Sequence, residues 1–170
     1  MKIVNGVIIQ SIKEHLQIKE EILKRIDKAK SGSYRTVSIT DWHKDNTTPR
    51  TYFTDILEPL VRHYYKNIMT HYYKNFKEQI DLEIDNFWFQ KYEKNSSHKW
   101  HTHPRTHFGN VYYVELPNNE YGTKFLNMKN IDIKEGDLIT FPAFFAHSSP
   151  INLHDEQKTI ISFNTNITID

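Results

Sequence analysis

Lys134-Glu135-Gly136-Asp137-Leu138-Ile139-Thr140-Phe141-Pro142 reads as a turn feeding a short apolar strand. Gly136 and Asp137 supply turn chemistry, and the β-branched and aromatic residues that follow suit a buried strand. Working outward, the same unit recurs. Leu82 to Tyr92, Val111 to Leu116, Thr123 to Met128, Leu138 to Phe141 and Thr159 to Ile167 are strand-like, with turns at Pro117-Asn118-Asn119, Tyr121-Gly122 and Lys134 to Asp137. Strands at such short, regular spacing predict a sandwich or jelly-roll barrel rather than parallel strands joined by crossover helices.

The first half has a different grammar. After a β-branched opening at Ile3 to Ile9, Ser11 stands where an N-cap would, before a helical segment from about Lys13 to Lys30 that stops at Ser31-Gly32-Ser33. Tyr34 to Thr48 reads as a loop with a short strand at Thr36 to Ile39, long enough to form a lid or a wall. Pro49 to Phe76 carries apolar and aromatic residues at three- and four-residue intervals, which predicts a helix, and Pro59 should split it into two pieces. Helices followed by strands predict an α+β fold: one domain over residues 1–170, with 1–80 mainly helical support and 81–170 a jelly-roll core.

Composition narrows the chemistry. The 170 residues suit one core, and 38% hydrophobic with 14% aromatic residues is too rich for a disordered chain. Lys plus Arg at 22 against Asp plus Glu at 21 leaves a net charge of +1, so no global field attracts nucleic acid or anionic lipid. The basic stretch Lys66 to Lys77, with Tyr72 and Tyr73 in it, then reads as the polar face of a helix. With no cysteine, any metal must be held by imidazole or oxygen, and thiolate nucleophiles are excluded. There is no Gly-x-Ser-x-Gly elbow, and the five glycines form no phosphate-binding loop. No apolar run is long enough to span a membrane, and the first residues lack the build of a signal peptide, so a cytoplasmic protein is expected.

Four of the ten histidines fall in Ser97-His98-Lys99-Trp100-His101-Thr102-His103-Pro104-Arg105-Thr106-His107. Alternate residues of a strand face one side, so His101 and His103 can aim both rings at one point. His147 stands alone in the apolar run Leu138 to Pro150, just past a strand. Taken singly, a His-x-His pair is as readily a solvated strand face, and a lone histidine among apolar residues is usually a hydrogen-bonded core group. Together, from two strands of a small barrel, the three imidazoles can converge in its mouth as metal ligands. His98 and His107 fall outside this pattern and read as surface residues or as supports for the ligands; His15, His43, His63, His71 and His154 show no grouping.

The order His101-Thr102-His103, Gly109 to Val114, Glu135-Gly136-Asp137-Leu138-Ile139-Thr140-Phe141-Pro142, His147 and Lys158-Thr159-Ile160-Ile161-Ser162-Phe163-Asn164 resembles the 2-oxoglutarate and Fe(II)-dependent oxygenases. Within them it is nearest to the small prolyl-hydroxylase-like branch, some of whose members are phage-encoded and so act in a host cytoplasm. The resemblance covers roughly Trp88 to Ile167 and implies a double-stranded β-helix with one iron in its mouth. It implies that His101 and His147 ligate iron, with His103 where the family usually has a carboxylate. It also implies Lys158 on the far carboxylate of 2-oxoglutarate, where arginine is commoner, and a Tyr113 hydroxyl on the cosubstrate. If Lys158 faces inward, strand alternation turns Ile160, Ser162 and Asn164 inward with it, which places Ser162 and Asn164 at the cosubstrate end.

The activity implied is an oxygenase that consumes O₂ and 2-oxoglutarate to hydroxylate a C–H bond of a small-molecule or peptide substrate. No catalytic residue beyond the ligands is implied. Phe141, Phe144 and Phe145 would wall the iron, and Trp88, Tyr92 and Trp100 would line the substrate side, although plain packing also accounts for such aromatics. Two alternatives stand: a three-histidine metal dioxygenase without 2-oxoglutarate, and a non-catalytic jelly roll that holds a structural metal or none. The aromatic helix Tyr52 to Phe76 either buttresses the barrel or makes a homodimer contact.

Overall fold

The computed structural model describes residues 1–42, 53–74, 80–85 and 87–169. The end of the Tyr34 to Thr48 loop, the first residues of the Pro49 to Phe76 segment and Phe76 itself lie outside them. Within them the chain is mostly β-sheet with two α-helices. The strands are β1 (Lys2–Val4), β2 (Val7–Ser11), β3 (Gly32–Tyr34), β4 (Val37–Thr40), β5 (Ile80–Ile84), β6 (Trp88–Tyr92), β7 (His98–His101), β8 (Phe108–Glu115), β9 (Lys124–Phe125), β10 (Asp137–Pro142), β11 (His147–Ser149) and β12 (Lys158–Ile169). Helix α1 (His15–Lys28) follows β2 and α2 (Thr54–Tyr73) follows β4. Helices and strands are therefore interleaved in the first half rather than segregated. The Asn5-Gly6 turn, with both φ values positive (50° and 84°), folds β1 back on β2.

The architecture is jelly-roll-like. A large antiparallel sheet runs β1-β2-β10-β8-β12-β6-β4-β3, with β5 continuing beside β12, and faces a small sheet β7-β11-β9. β12 is the spine: it pairs β8 along one edge, and β6 then β5 along the other. One face of the large sheet joins Tyr112, Val114, Ile161 and Phe163 to Ile22 and Ile26 of α1 and to Leu57, Val61, Tyr65 and Ile68 of α2. The other face packs Val111, Tyr113, Ile139, Phe141 and Ile160 toward Phe125 of the small sheet.

Two local expectations are corrected. Ser11 does not cap α1. It closes β2 opposite Asp137 and donates its hydroxyl to the Asp137 carboxylate at 2.6 Å, while Glu14 occupies the N-cap without a side-chain bond. Pro59 does not divide α2, which runs unbroken from Thr54. The proline stands in the second turn and forfeits one backbone bond, and the buried stripe Leu57, Val61, Tyr64, Tyr65 and Ile68 carries the helix past it. Tyr65 also pins α2 to the sheet, since its buried hydroxyl bonds Asn110 Oδ1 at 2.8 Å and Thr165 Oγ1 at 2.5 Å.

Candidate metal centre

β7 and β11 are antiparallel neighbours with His101 directly opposite His147, and cross-strand partners present side chains to the same face. The ring centroids are 4.2 Å apart. His103 lies just past β7, where its backbone N–H donates to the Ala143 carbonyl at 2.9 Å and lashes this segment to the β10–β11 turn. One nitrogen from each of the three rings lies within 4.8 Å of the other two, a grouping that can hold a metal ion.

The hydrogen bonds fix how each ring points. Nδ1 of His101 donates to the Lys99 carbonyl (2.8 Å), Nδ1 of His147 to the Phe145 carbonyl (2.9 Å), and Nδ1 of His103 to Asn164 Oδ1 (2.5 Å). Each bond leaves a lone pair on Nε2, the tautomer a metal requires. His103 Nε2 and His147 Nε2 face each other at 3.3 Å, and two lone pairs so placed repel unless a cation sits between them. Burial lowers all three ring pKa values, His147 to about 3, so the imidazoles are neutral and ready to ligate at pH 7. The donor set of neutral nitrogens suits Fe(II), and equally Ni(II) or Zn(II).

Around these rings lies a cavity of about 440 Å³, the size of a small-molecule site. Phe141 does not line it but packs behind the histidines, with its ring centroid 4.6 Å from that of His147. Gly109 makes room for that ring: a Cβ there would stand 2.7 Å from it. Trp88 stacks at 6.2 Å on His103. The expectations for the other aromatics divide. Tyr92 lines the cavity, whereas Trp100 (52% exposed) and Phe144 (77% exposed) lie on the outer surface, and Phe145 packs against Gly6 and Phe125.

At the start of β12, six residues before Asn164, Lys158 is buried, with its ammonium 4.2 Å from the Tyr92 ring centroid. It donates to the Tyr121 carbonyl at 2.9 Å and to the hydroxyl of Ser149, which lines the cavity. Desolvation, with a small contribution from Lys124, lowers its pKa to about 7, and no carboxylate among the described residues pairs with it. Ile160, Ser162 and Asn164 line the cavity on the same strand face as Lys158. Ser162 donates to Gln90 Oε1 at 3.3 Å, while Asn164 sits at the histidine end as the partner of His103. The Tyr113 hydroxyl stays behind the wall: it accepts the Thr123 N–H at 2.9 Å and shares a 2.6 Å bond with the Thr123 hydroxyl, and Thr123 reaches the cavity in its place.

His98, which the sequence reads as a surface residue or a support for the ligands, lines the cavity: it stacks on His101 at 4.2 Å and bonds Gln90 at 3.3 Å, and its pKa falls to about 4, through burial first and then the charges of His101 and Arg35. Sequence reasoning passes over several other lining residues. Gln90 was open to detection, since it alternates with Trp88 and Tyr92. Trp42, Arg35, Arg105 and Asp85 come from distant segments and carried no shared pattern.

No protein-family model matches the chain, and no curated protein sequence is similar to it. Solved structures do match. The viral collagen prolyl hydroxylase of Paramecium bursaria Chlorella virus-1, in complex with 2-oxoglutarate, superposes at a TM-score of 0.62 and 12% identity, over 95% of this chain and 96% of that one. A 2-oxoglutarate–Fe(II) oxygenase family oxidoreductase of Burkholderia pseudomallei gives 0.63 at 11% identity, over 95% and 84%. This chain has the 2-oxoglutarate–Fe(II) oxygenase fold. HygX of Streptomyces hygroscopicus, solved with nickel, 2-oxoglutarate and hygromycin B, gives 0.63 at 8% identity, over 95% and 82%. At such identities the likeness to these oxygenases is one of fold, and the chemistry rests on the residues above. No helix among the described residues is long and apolar enough to cross a membrane.

Proposed function

We propose that this chain is an Fe(II)- and 2-oxoglutarate-dependent oxygenase, a hydroxylase whose domain spans residues 1–170, with its helices supporting a double-stranded β-helix. The observation that carries the reading is the convergence of three Nε2 lone pairs, from His101, His103 and His147, in a cavity large enough for a cosubstrate and a substrate group. Iron held there would supply the O₂ chemistry that couples oxidative decarboxylation of 2-oxoglutarate to oxidation of a substrate C–H bond.

The chain's own residues hold and orient the reactants. Lys158 is a buried cation without a carboxylate partner among the described residues, and with Ser149 and Tyr92 it makes a cradle for the far carboxylate of 2-oxoglutarate. As a point charge it neutralises that group without the bidentate geometry of arginine. Tyr113 positions Thr123 against the cosubstrate, Ser162 holds Gln90 on the cavity floor, and Asn164 keeps His103 in the ligating tautomer. Phe141 and Trp88 exclude water around the histidines, and Trp88 and Tyr92 are the aromatic walls of the working cavity. The substrate is a small molecule or a peptide, and the site of action is the cytoplasm.

His103 in place of a carboxylate favours a second reading, a three-histidine dioxygenase that uses no 2-oxoglutarate. Lys158 argues for the first, because a buried ammonium among neutral partners is costly without an anion. Anaerobic titration with Fe(II) and then 2-oxoglutarate separates the two. A visible charge-transfer band that needs both additions and is lost in His147→Ala supports the oxygenase. Iron binding without the band favours the second reading, and no iron binding removes both.

A further inference from the structure

The four arginines among the described residues fall into two kinds. Arg25 pairs with Glu21 at 2.8 Å and Asp55 at 2.6 Å, and Arg62 pairs with Glu58 at 2.7 Å; these are the helical ones. Arg35, in the turn between β3 and β4, and Arg105, two residues past His103, both line the metal cavity and are exposed. Neither pairs with a carboxylate among the described residues. Arg35 lies 5.0 Å from the centroid of the Tyr34 ring, which also lines the cavity.

The backbone singles out the same two residues. Five non-glycine residues among those described adopt left-handed φ. Three are asparagines (Asn5, Asn95 and Asn127), which tolerate it, and the other two are Arg35 at 54° and Arg105 at 62°. A turn alone would be better served by asparagine or glycine. An arginine held there at some conformational cost, twice, on the wall of one cavity, indicates that its guanidinium has a use. Unpaired guanidiniums match carboxylate and phosphate oxygens in a bidentate fork. Asp85 also lines the cavity and has interactions of its own, and Trp42 and Trp88, whose ring centroids are 4.5 Å apart with the planes tilted by 51°, add apolar surface to the same lining.

We infer that Arg35 and Arg105 form an anion-binding subsite at the cavity wall, so that the substrate class is one carrying a carboxylate or phosphate group. The orientation of the rest of the substrate toward the histidines rests on the oxygenase reading; the anion site itself does not.

The test is calorimetric titration of the full-length protein with phenyl phosphate and benzoate, each against its neutral counterpart, phenol and benzyl alcohol. It is run anaerobically with saturating Fe(II) and 2-oxoglutarate, and again without them. The anionic probes should bind at least about tenfold more tightly than the neutral ones, as charge-assisted hydrogen bonds imply. The preference should vanish in the double variant Arg35→Asn/Arg105→Asn, whose melting temperature should hold or rise because asparagine suits both turns. It should survive Arg62→Gln, which removes a guanidinium outside the cavity. Whichever of phosphate and carboxylate binds more tightly names the substrate group. The inference is overturned if neither anion binds, if neutral probes bind equally well, if the double variant keeps the preference, or if its melting temperature falls with the binding. A charge-transfer band without anion preference would remove this inference and leave the oxygenase; anion preference without the band would do the reverse.

Discussion

The two faces of β12 share one backbone and one set of ladder bonds, yet they do opposite work. On one face Ile161 and Phe163, both fully buried, pack against residues from the two helices. On the other, Lys158, Ile160, Ser162 and Asn164 face the side that carries the cavity. The first face is apolar and closely packed, so it supplies stability. The second carries polar groups in the interior, each tied by one or two bonds and so held in a fixed direction. Because the side-chain period is two, a one-residue slip would exchange the two sets, so packing on the helix side also fixes the register on which the site depends.

Removing a metal ligand should have the largest effect. His147→Ala should lower Fe(II) affinity and turnover by more than about 100-fold and leave the far-ultraviolet circular dichroism unchanged; turnover that survives would remove His147 from the site. On the helix face, Phe163→Ala should cost about 3–5 kcal/mol in urea unfolding, as for other large buried aromatics, while the folded fraction keeps its metal affinity. A comparable loss of metal affinity in folded protein would mean that the two faces are not independent.

Asn164→Ala tests the polar face without touching a ligand. Losing the acceptor for His103 Nδ1 should weaken metal binding about 10–100-fold with little effect on 2-oxoglutarate affinity, and Asn164→Asp should restore the metal. If instead 2-oxoglutarate affinity falls and metal binding holds, Asn164 belongs to the cosubstrate end. A pH dependence at Lys158 tests the polar face without any ligand present. Its folded pKa, about 7, lies below the ordinary 10.5 of an unfolded lysine. Between these values the unfolded chain binds the extra proton, so the stability of the metal-free protein should rise with pH across that window, with the full penalty present below it. Lys158→Met should flatten this rise and add on the order of a few kcal/mol at pH 7. A wild-type stability that falls from pH 7 to 10 would show that the ammonium has an anionic partner.

The β-rich second half was legible because turn residues and short apolar runs are local signals, and the run from Leu138 to Phe141 appears as β10. Ser11 misled because a serine before a helical pattern does not reveal that Asp137, 126 positions away, claims its hydroxyl. Pro59 misled in the same way, since tertiary burial of α2 outweighs one lost backbone bond. Trp100 was credited with a cavity role because strand aromatics look alike in one dimension; the exposed face of β7 was decided by the sheet it joins.

The sequence by itself determined the kind of chemistry. Zero cysteines with histidines at 101, 103 and 147 limit any metal to imidazole and oxygen donors, and strand alternation ties Lys158, Ser162 and Asn164 to one face. Tertiary structure decided the assignments within that set: that Asn164 serves His103, that Tyr113 stands behind Thr123, and that Arg35 and Arg105 line the same cavity. The physical reason is range. Residue type and period are properties of neighbouring positions, whereas a tautomer, a buried charge or a shared cavity depends on partners that only the folded sheets bring within a few ångströms.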